Sequence, residues 1–201
     1  MLTGMASLFL LSGCVQLAFV AFGGVRPPRR EPVAVQEKYL QKHGLSSTDL
    51  YFLTDSAVNR FRKEPYKPNF GPGFKVNQCR LFGKDGYLLA HYASCDGYVK
   101  WYFTDFPPVT YAHDTTHTLA RDLIWYETEA GEPLPLNADS LLAQHDYVMV
   151  FYWAKYLGVM SRSMMKKIEA WAAQYPDKDI RILKVNIGEL DLPEDTISLS
   201  P

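Results

Sequence analysis

The sequence predicts an α/β protein: a strand–helix–strand unit near the C-terminus, preceded by a small mixed α+β module. Three observations carry this expectation. Residues 146–153, Asp146-Tyr147-Val148-Met149-Val150-Phe151-Tyr152-Trp153, form an unbroken apolar run of the kind seen in strands buried on both faces. Residues 161–174 then repeat Met164, Met165, Ile168 and Trp171 at helical spacing. Residues 180–187, Ile180-Arg181-Ile182-Leu183-Lys184-Val185-Asn186-Ile187, supply a second β-rich run. A strand, a helix and a strand joined by short connections predict two parallel strands with a right-handed crossover.

The remaining elements follow from local signals. Helical spacing is expected over residues 35–43, closed by Gly44. A short strand is expected at Tyr51-Phe52-Leu53 and a helix over 54–62, capped by Thr54 or Asp55. Residues 64–76 hold Pro65, Pro68, Gly71, Pro72 and Gly73 and read as an irregular loop. A hairpin turning on Asp85-Gly86 spans 79–93 and sets Cys79 opposite a residue near Tyr92. Aromatic strands are expected at 98–103, ending at Pro107-Pro108, and at 123–128; a helical turn is expected at 138–143. In the helix at 158–174 the methionines, Ile168 and Trp171 face the sheet, while Lys166, Lys167 and Glu169 face solvent. The boundaries are an N-terminal segment at 1–25, a linker at 26–34, the mixed module at 35–118 and the C-terminal unit at 119–201.

Composition narrows the function classes. Of 201 residues 47% are hydrophobic, ample for a packed core, and 21 basic against 22 acidic side chains leave no net field to attract nucleic acid. Residues 2–25 carry no charge and exceed the ~20 residues needed to span a bilayer, so a membrane is an expected partner. Two readings of that segment are open. Leu11-Ser12-Gly13-Cys14 resembles the lipobox of bacterial lipoproteins, with Cys14 as the acylated residue and residues 2–11 as the apolar signal region. That reading implies a lipid-anchored body facing the periplasm or exterior. Alternatively, residues 15–22 continue an uncleaved spanning helix, and Arg26, Arg29 and Arg30 form a basic flank that holds the body in the cytoplasm.

The segment Trp153-Ala154-Lys155-Tyr156-Leu157-Gly158-Val159-Met160 joins the first predicted strand to the helix. Together with Gly131-Glu132-Pro133-Leu134-Pro135-Leu136 and residues 182–187, it resembles the thioredoxin-like superfamily, in particular membrane-tethered thiol-disulfide oxidoreductases and redoxins, over residues 120–187. The resemblance implies a partial thioredoxin-like unit. It also implies that an exposed thiol belongs at the start of the helix and a resolving thiol one turn later. Leu157 and Met160 hold those positions, and neither forms a thiolate, which excludes dithiol exchange there. The family fold further needs two antiparallel strands, a closing helix and a cis-proline; Pro193 follows the last strand too closely to take that role. The missing strands come from the module at 35–110, from a partner chain, or from sequence beyond a truncation.

The expected function is a non-catalytic binding or assembly module at the cell envelope. Trp153, Tyr156, Leu157, Gly158, Val159 and Met160 would form its surface for a peptide or envelope-protein partner, with no catalytic residue, metal or cofactor. The competing expectation is a thiol redox protein using Cys79 or Cys95, whose mutual pairing is disfavoured by the hairpin register. A structural lipoprotein without separate activity is the third. Two patterns are assigned to structure instead. His113 and His117 have the i, i+4 spacing of a metal clasp but lack a third ligand, so a polar loop or helix cap is preferred. The aromatic group at 98–106 is assigned to core packing.

Overall fold

The apolar run at 147–153 lies at the centre of the fold in a computed structural model, which describes residues 31–62, 77–93, 106–108, 114–124 and 136–187. In chain order the elements are α1 (Val33–Lys42), β1 (Leu50–Phe52), α2 (Asp55–Arg62), β2 (Gln78–Phe82), β3 (Tyr87–Ala93), β4 (Asp114–Thr118) and α3 (Leu119–Leu123). They continue with α4 (Ala138–Gln144), β5 (Tyr147–Trp153), a single 3-10 turn (Lys155–Leu157), α5 (Val159–Ala172) and β6 (Ile180–Asn186). The class is α/β, built on one six-stranded mixed sheet in the order β1-β6-β5-β2-β3-β4.

The pairing of β5 with β6 is parallel and runs from Tyr147↔Ile180 to Trp153↔Asn186, with α5 as the crossover. On the far side of β6, β1 adds a short parallel strand. On the other side of β5 lies β2, antiparallel, with Arg80 opposite Val150, and β3 follows through the hairpin. Strands from both halves of the sequence are therefore mixed in one sheet, and the segment at 35–110 supplies β2, which pairs with β5, and β3, which pairs with β2.

Side-chain alternation along β5 divides the core in two. Val148, Val150 and Tyr152 face a layer containing Leu53, Ala57 and Val58 near and on α2, Leu119 and Leu123 on α3, and Leu141 and Leu142 on α4. Met149, Phe151 and Trp153 face Leu40 on α1 and Met164, Met165, Ile168 and Trp171 on α5. Because both faces are covered, β5 needs no polar alternation, which is why its sequence reads as a continuous apolar run.

Local chemistry sets the element ends. Thr54 Oγ1 accepts the Ala57 amide at 3.1 Å and caps α2, and Asn137 Oδ1 accepts the Ser140 amide at 3.0 Å and caps α4. Gly44 ends α1 at φ 65. In the hairpin, Asp85 Oδ1 accepts the Tyr87 amide, Gly86 takes φ 78, and Cys79 falls opposite Tyr92.

Three expectations are corrected. Leu123 ends helix α3 and Ile124 is in a turn, so no strand begins at 123; a helix capped by Thr118 takes those positions, and residues 125–130 lie outside the described residues. Residues 114–118 form strand β4 rather than a loop or helix cap, because they pair with β3. Glu169 is not simply solvated: it pairs at 2.9 Å with Lys184, whose side chain is buried on β6 beneath α5. The expected strand at 98–103 and the residues of the loop at 64–76 lie outside the described residues.

Phe151→Ala removes a fully buried ring from the strand contacted on both faces. It is expected to lower the unfolding free energy by about 3–5 kcal/mol, read as a shift in urea midpoint; a shift below about 1 kcal/mol would contradict the central placement of β5.

Candidate functional site

The candidate site forms where β5 ends and α5 begins. Trp153, the last residue of β5, is fully buried among the α1 and α5 side chains. The 3-10 turn then carries Tyr156 and Leu157, both half-buried, to Gly158. Gly158 has φ 55 and ψ −121, a conformation disfavoured for any residue with a Cβ, and it is what lets the chain reverse into α5. Val159 opens the helix and is 41% exposed, whereas Met160 is 8% exposed and points into the core. The six expected site residues are thus contiguous in space, but only Tyr156, Leu157 and Val159 present side-chain surface. The position assigned to the attacking thiol is accessible, and the one assigned to the resolving thiol is enclosed.

Sequence reasoning missed what holds this turn. Tyr39 of α1 donates its hydroxyl to the Gly158 carbonyl at 3.2 Å, and Arg162 of α5 donates to the Tyr39 oxygen at 3.1 Å. This relay ties α1, the turn and the first turn of α5 together. Lys155 lies over the Tyr39 ring at 5.7 Å from its centroid and pairs with Glu31 at 2.5 Å. Beneath the turn, Ser161 Oγ accepts the Ala154 amide and donates to Asn77 Oδ1, each at 3.4 Å, so the residue just before β2 abuts the start of α5. The signal available in the sequence was Tyr39 at i+3 from Gln36 on the α1 face that also bears Leu40; nothing local indicated its distant acceptor.

A second polar cluster lies inside the sheet. Arg80 of β2 and Asp122 of α3, both fully buried, form an ion pair. His117 Nε2 lies 2.8 Å from the same carboxylate, and the Tyr152 hydroxyl donates to its other oxygen at 3.1 Å. The carboxylate only accepts, so a proton on His117 Nε2 completes that contact, and Arg80 Nη1 lies 3.2 Å from the same nitrogen. Burial raises the Asp122 pKa, but the adjacent Arg80 guanidinium and the His117 hydrogen bond outweigh it and hold the carboxyl below its ordinary range. His117 is engaged here on a strand, where a polar loop or helix cap was expected; His113 lies outside the described residues, and among those described no cluster of metal-ligating side chains occurs. The network is enclosed by protein and works as a clamp between β2, β4, α3 and β5. A lone arginine within the apolar run of β2 was its sequence signature.

The cysteines divide similarly. Cys79 is fully buried and unpaired, and burial pushes its thiol well above the usual range, which removes the thiolate that redox chemistry requires. Cys14 and Cys95 lie outside the described residues. Among the described residues no helix is long and apolar enough to cross a membrane; residues 2–25 are not among them.

Two variants separate turn from clamp. Gly158→Val is expected to cost roughly 1–3 kcal/mol through backbone strain at φ 55, with Tyr39→Phe costing about 1 kcal/mol, both by chemical denaturation. Asp122→Asn leaves Arg80 buried without a counter-charge and is expected to cost about 3–5 kcal/mol at neutral pH. Because the folded-state pKa of Asp122 is depressed, its contribution is complete above the unfolded carboxylate pKa and is lost as pH falls through it toward the folded value. The wild type should lose part of its stability on acidification over that interval, and the variant should not show that component.

No protein family, curated protein or solved structure matches the chain.

Proposed function

We propose that this chain is a membrane-anchored, redox-inactive thioredoxin-like protein that acts as a binding or assembly module at the cell envelope. The observation that carries the reading is the site's exposure pattern. Leu157 is accessible just before α5 and Met160 is enclosed one turn later, the arrangement the resemblance requires of an attacking and a resolving thiol. The parallel β5–α5–β6 unit and the antiparallel β2–β3 hairpin paired to β5 through β2 support the same reading. The hairpin precedes the unit in sequence instead of following it. The described cis-proline does not take the family role: Pro107 follows Phe106, which stacks on Trp171 and Tyr175 at the far end of α5 from the turn.

Without sulfur, the turn offers shape and polarity alone. Tyr156, Leu157 and Val159 form a small apolar surface fixed by the Arg162–Tyr39–Gly158 relay. An extended peptide or envelope-protein segment is the partner such a surface suits, held without a covalent intermediate. Anchoring is by acylated Cys14 or by a spanning helix through residues 2–25. Against the thiol-enzyme reading stands the burial of Cys79.

The test restores the chemistry. The double variant Leu157→Cys, Met160→Cys is expected to gain dithiothreitol-driven insulin disulfide reduction, while the wild type and each single variant stay inert. A double variant that folds, binds one equivalent of thiol reagent under reducing conditions at its accessible cysteine, and still fails to reduce insulin would refute the proposed descent of the site.

A further inference from the structure

Although the chain's net charge is −1, its cations are not evenly spread. Arg162 and Lys166 stand one turn apart on α5, and Lys38 and Lys42 one turn apart on α1, each pair on a single helix face. The two helices meet where Arg162 lies 3.4 Å from His43 Nε2 and bonds Tyr39. His43 in turn packs edge-on against the Tyr39 ring at 4.8 Å between centroids. Lys42 and Lys166 are exposed, and His43 and Arg162 are half-buried between them. His43 titrates low, first through desolvation and then through the Arg162, Lys42 and Lys166 charges, a neighbourhood of one sign. Assembling like charges in this way disfavours the fold unless an anion meets them.

On the membrane-attachment reading this face lies close to a bilayer. Residues 26–32 separate the apolar segment from α1 and add Arg26, Arg29 and Arg30. On the spanning-helix reading that linker, even fully extended, reaches no more than about 25 Å, which keeps α1 near the anchor. We propose that the face formed by Lys42, His43, Arg162 and Lys166 docks on the anionic headgroups of the bilayer to which the N-terminal segment attaches the chain, and so sets the 154–160 turn at the membrane surface. The proposal rests on the membrane-attachment reading above. A lipid surface is favoured over nucleic acid because the patch covers only two helix faces and the tether supplies a high local concentration of headgroups.

The experiment uses the full chain reconstituted in phosphatidylcholine vesicles with or without phosphatidylglycerol. Flotation reports attachment, and brief labelling with a small amine reagent, read by mass spectrometry, compares Lys42 and Lys166 with the exposed Lys178. The protein is expected to float with both vesicles. Labelling at Lys42 and Lys166 relative to Lys178 should fall by about five-fold in the anionic vesicles. That protection should vanish at high salt and in the Lys42→Glu, Lys166→Glu variant. Flotation with both vesicles but equal labelling overturns the docking face and leaves the anchor reading intact. No flotation with either overturns both. A duplex oligonucleotide that protects the two lysines on neutral vesicles as strongly as phosphatidylglycerol overturns the lipid assignment.

Discussion

Everything in this fold is arranged around the burial of β5 on both faces. A strand covered by helices above and below must have its backbone paired along both edges, because an unpaired amide or carbonyl in that interior costs as much as a lost hydrogen bond. β6 satisfies one edge in parallel and β2 the other in antiparallel fashion. The layer assignments of α1 and α5 on one side and α2, α3 and α4 on the other follow from the alternation of β5 side chains. The turn at 154–160 inherits its position from the end of this strand. Its geometry is therefore as rigid as the core that delivers it, which on the proposed reading suits a surface that recognises a partner.

Two kinds of polar device hold the ends of the sheet to that centre. One is the Arg80–Asp122–His117–Tyr152 cluster, in which three hydrogen-bonding partners converge on one enclosed carboxylate. Such clusters contribute little net stability against an apolar replacement, but breaking one partner is costly, so their effect is to select one arrangement of strands. The other is the relay from Arg162 through Tyr39 to Gly158. On the proposed reading this phenol restrains backbone that in a redox-active relative would shift as a thiol is attacked.

Elements governed by neighbours in sequence were legible in advance. The β5 run, the α5 periodicity, the Asp85-Gly86 hairpin with its Cys79–Tyr92 register and the Thr54 cap each depend on residues within a few positions. What was not legible depends on distant partners. That β2 should lie against β5 is decided by edge satisfaction across a long stretch of chain, not by periodicity. The strand expected at 123–128 began on the last residue of α3, because Leu123 opens an apolar and aromatic run in sequence, and five residues are too few for a helical repeat to declare itself; Thr118 decided it by capping. Glu169 looked like a surface charge until β6 placed Lys184 under it. The turn residues themselves were legible through one glycine and the apolar groups around it, whereas Tyr39, more than a hundred residues earlier, was not.

The interleaving of early and late strands governs when this protein can form during synthesis. β1, β2 and β3 leave the ribosome long before β5 and β6, yet among the described residues β1 pairs with β6 alone, and β2 lacks one neighbour until β5 arrives. The first half of the chain therefore waits as an open-edged hairpin with apolar flanks, a state prone to mispairing with other chains. On the proposed membrane-anchored reading, a nascent chain held at a bilayer by its first residues would pass that interval apart from its copies, and early attachment would serve folding before any later role.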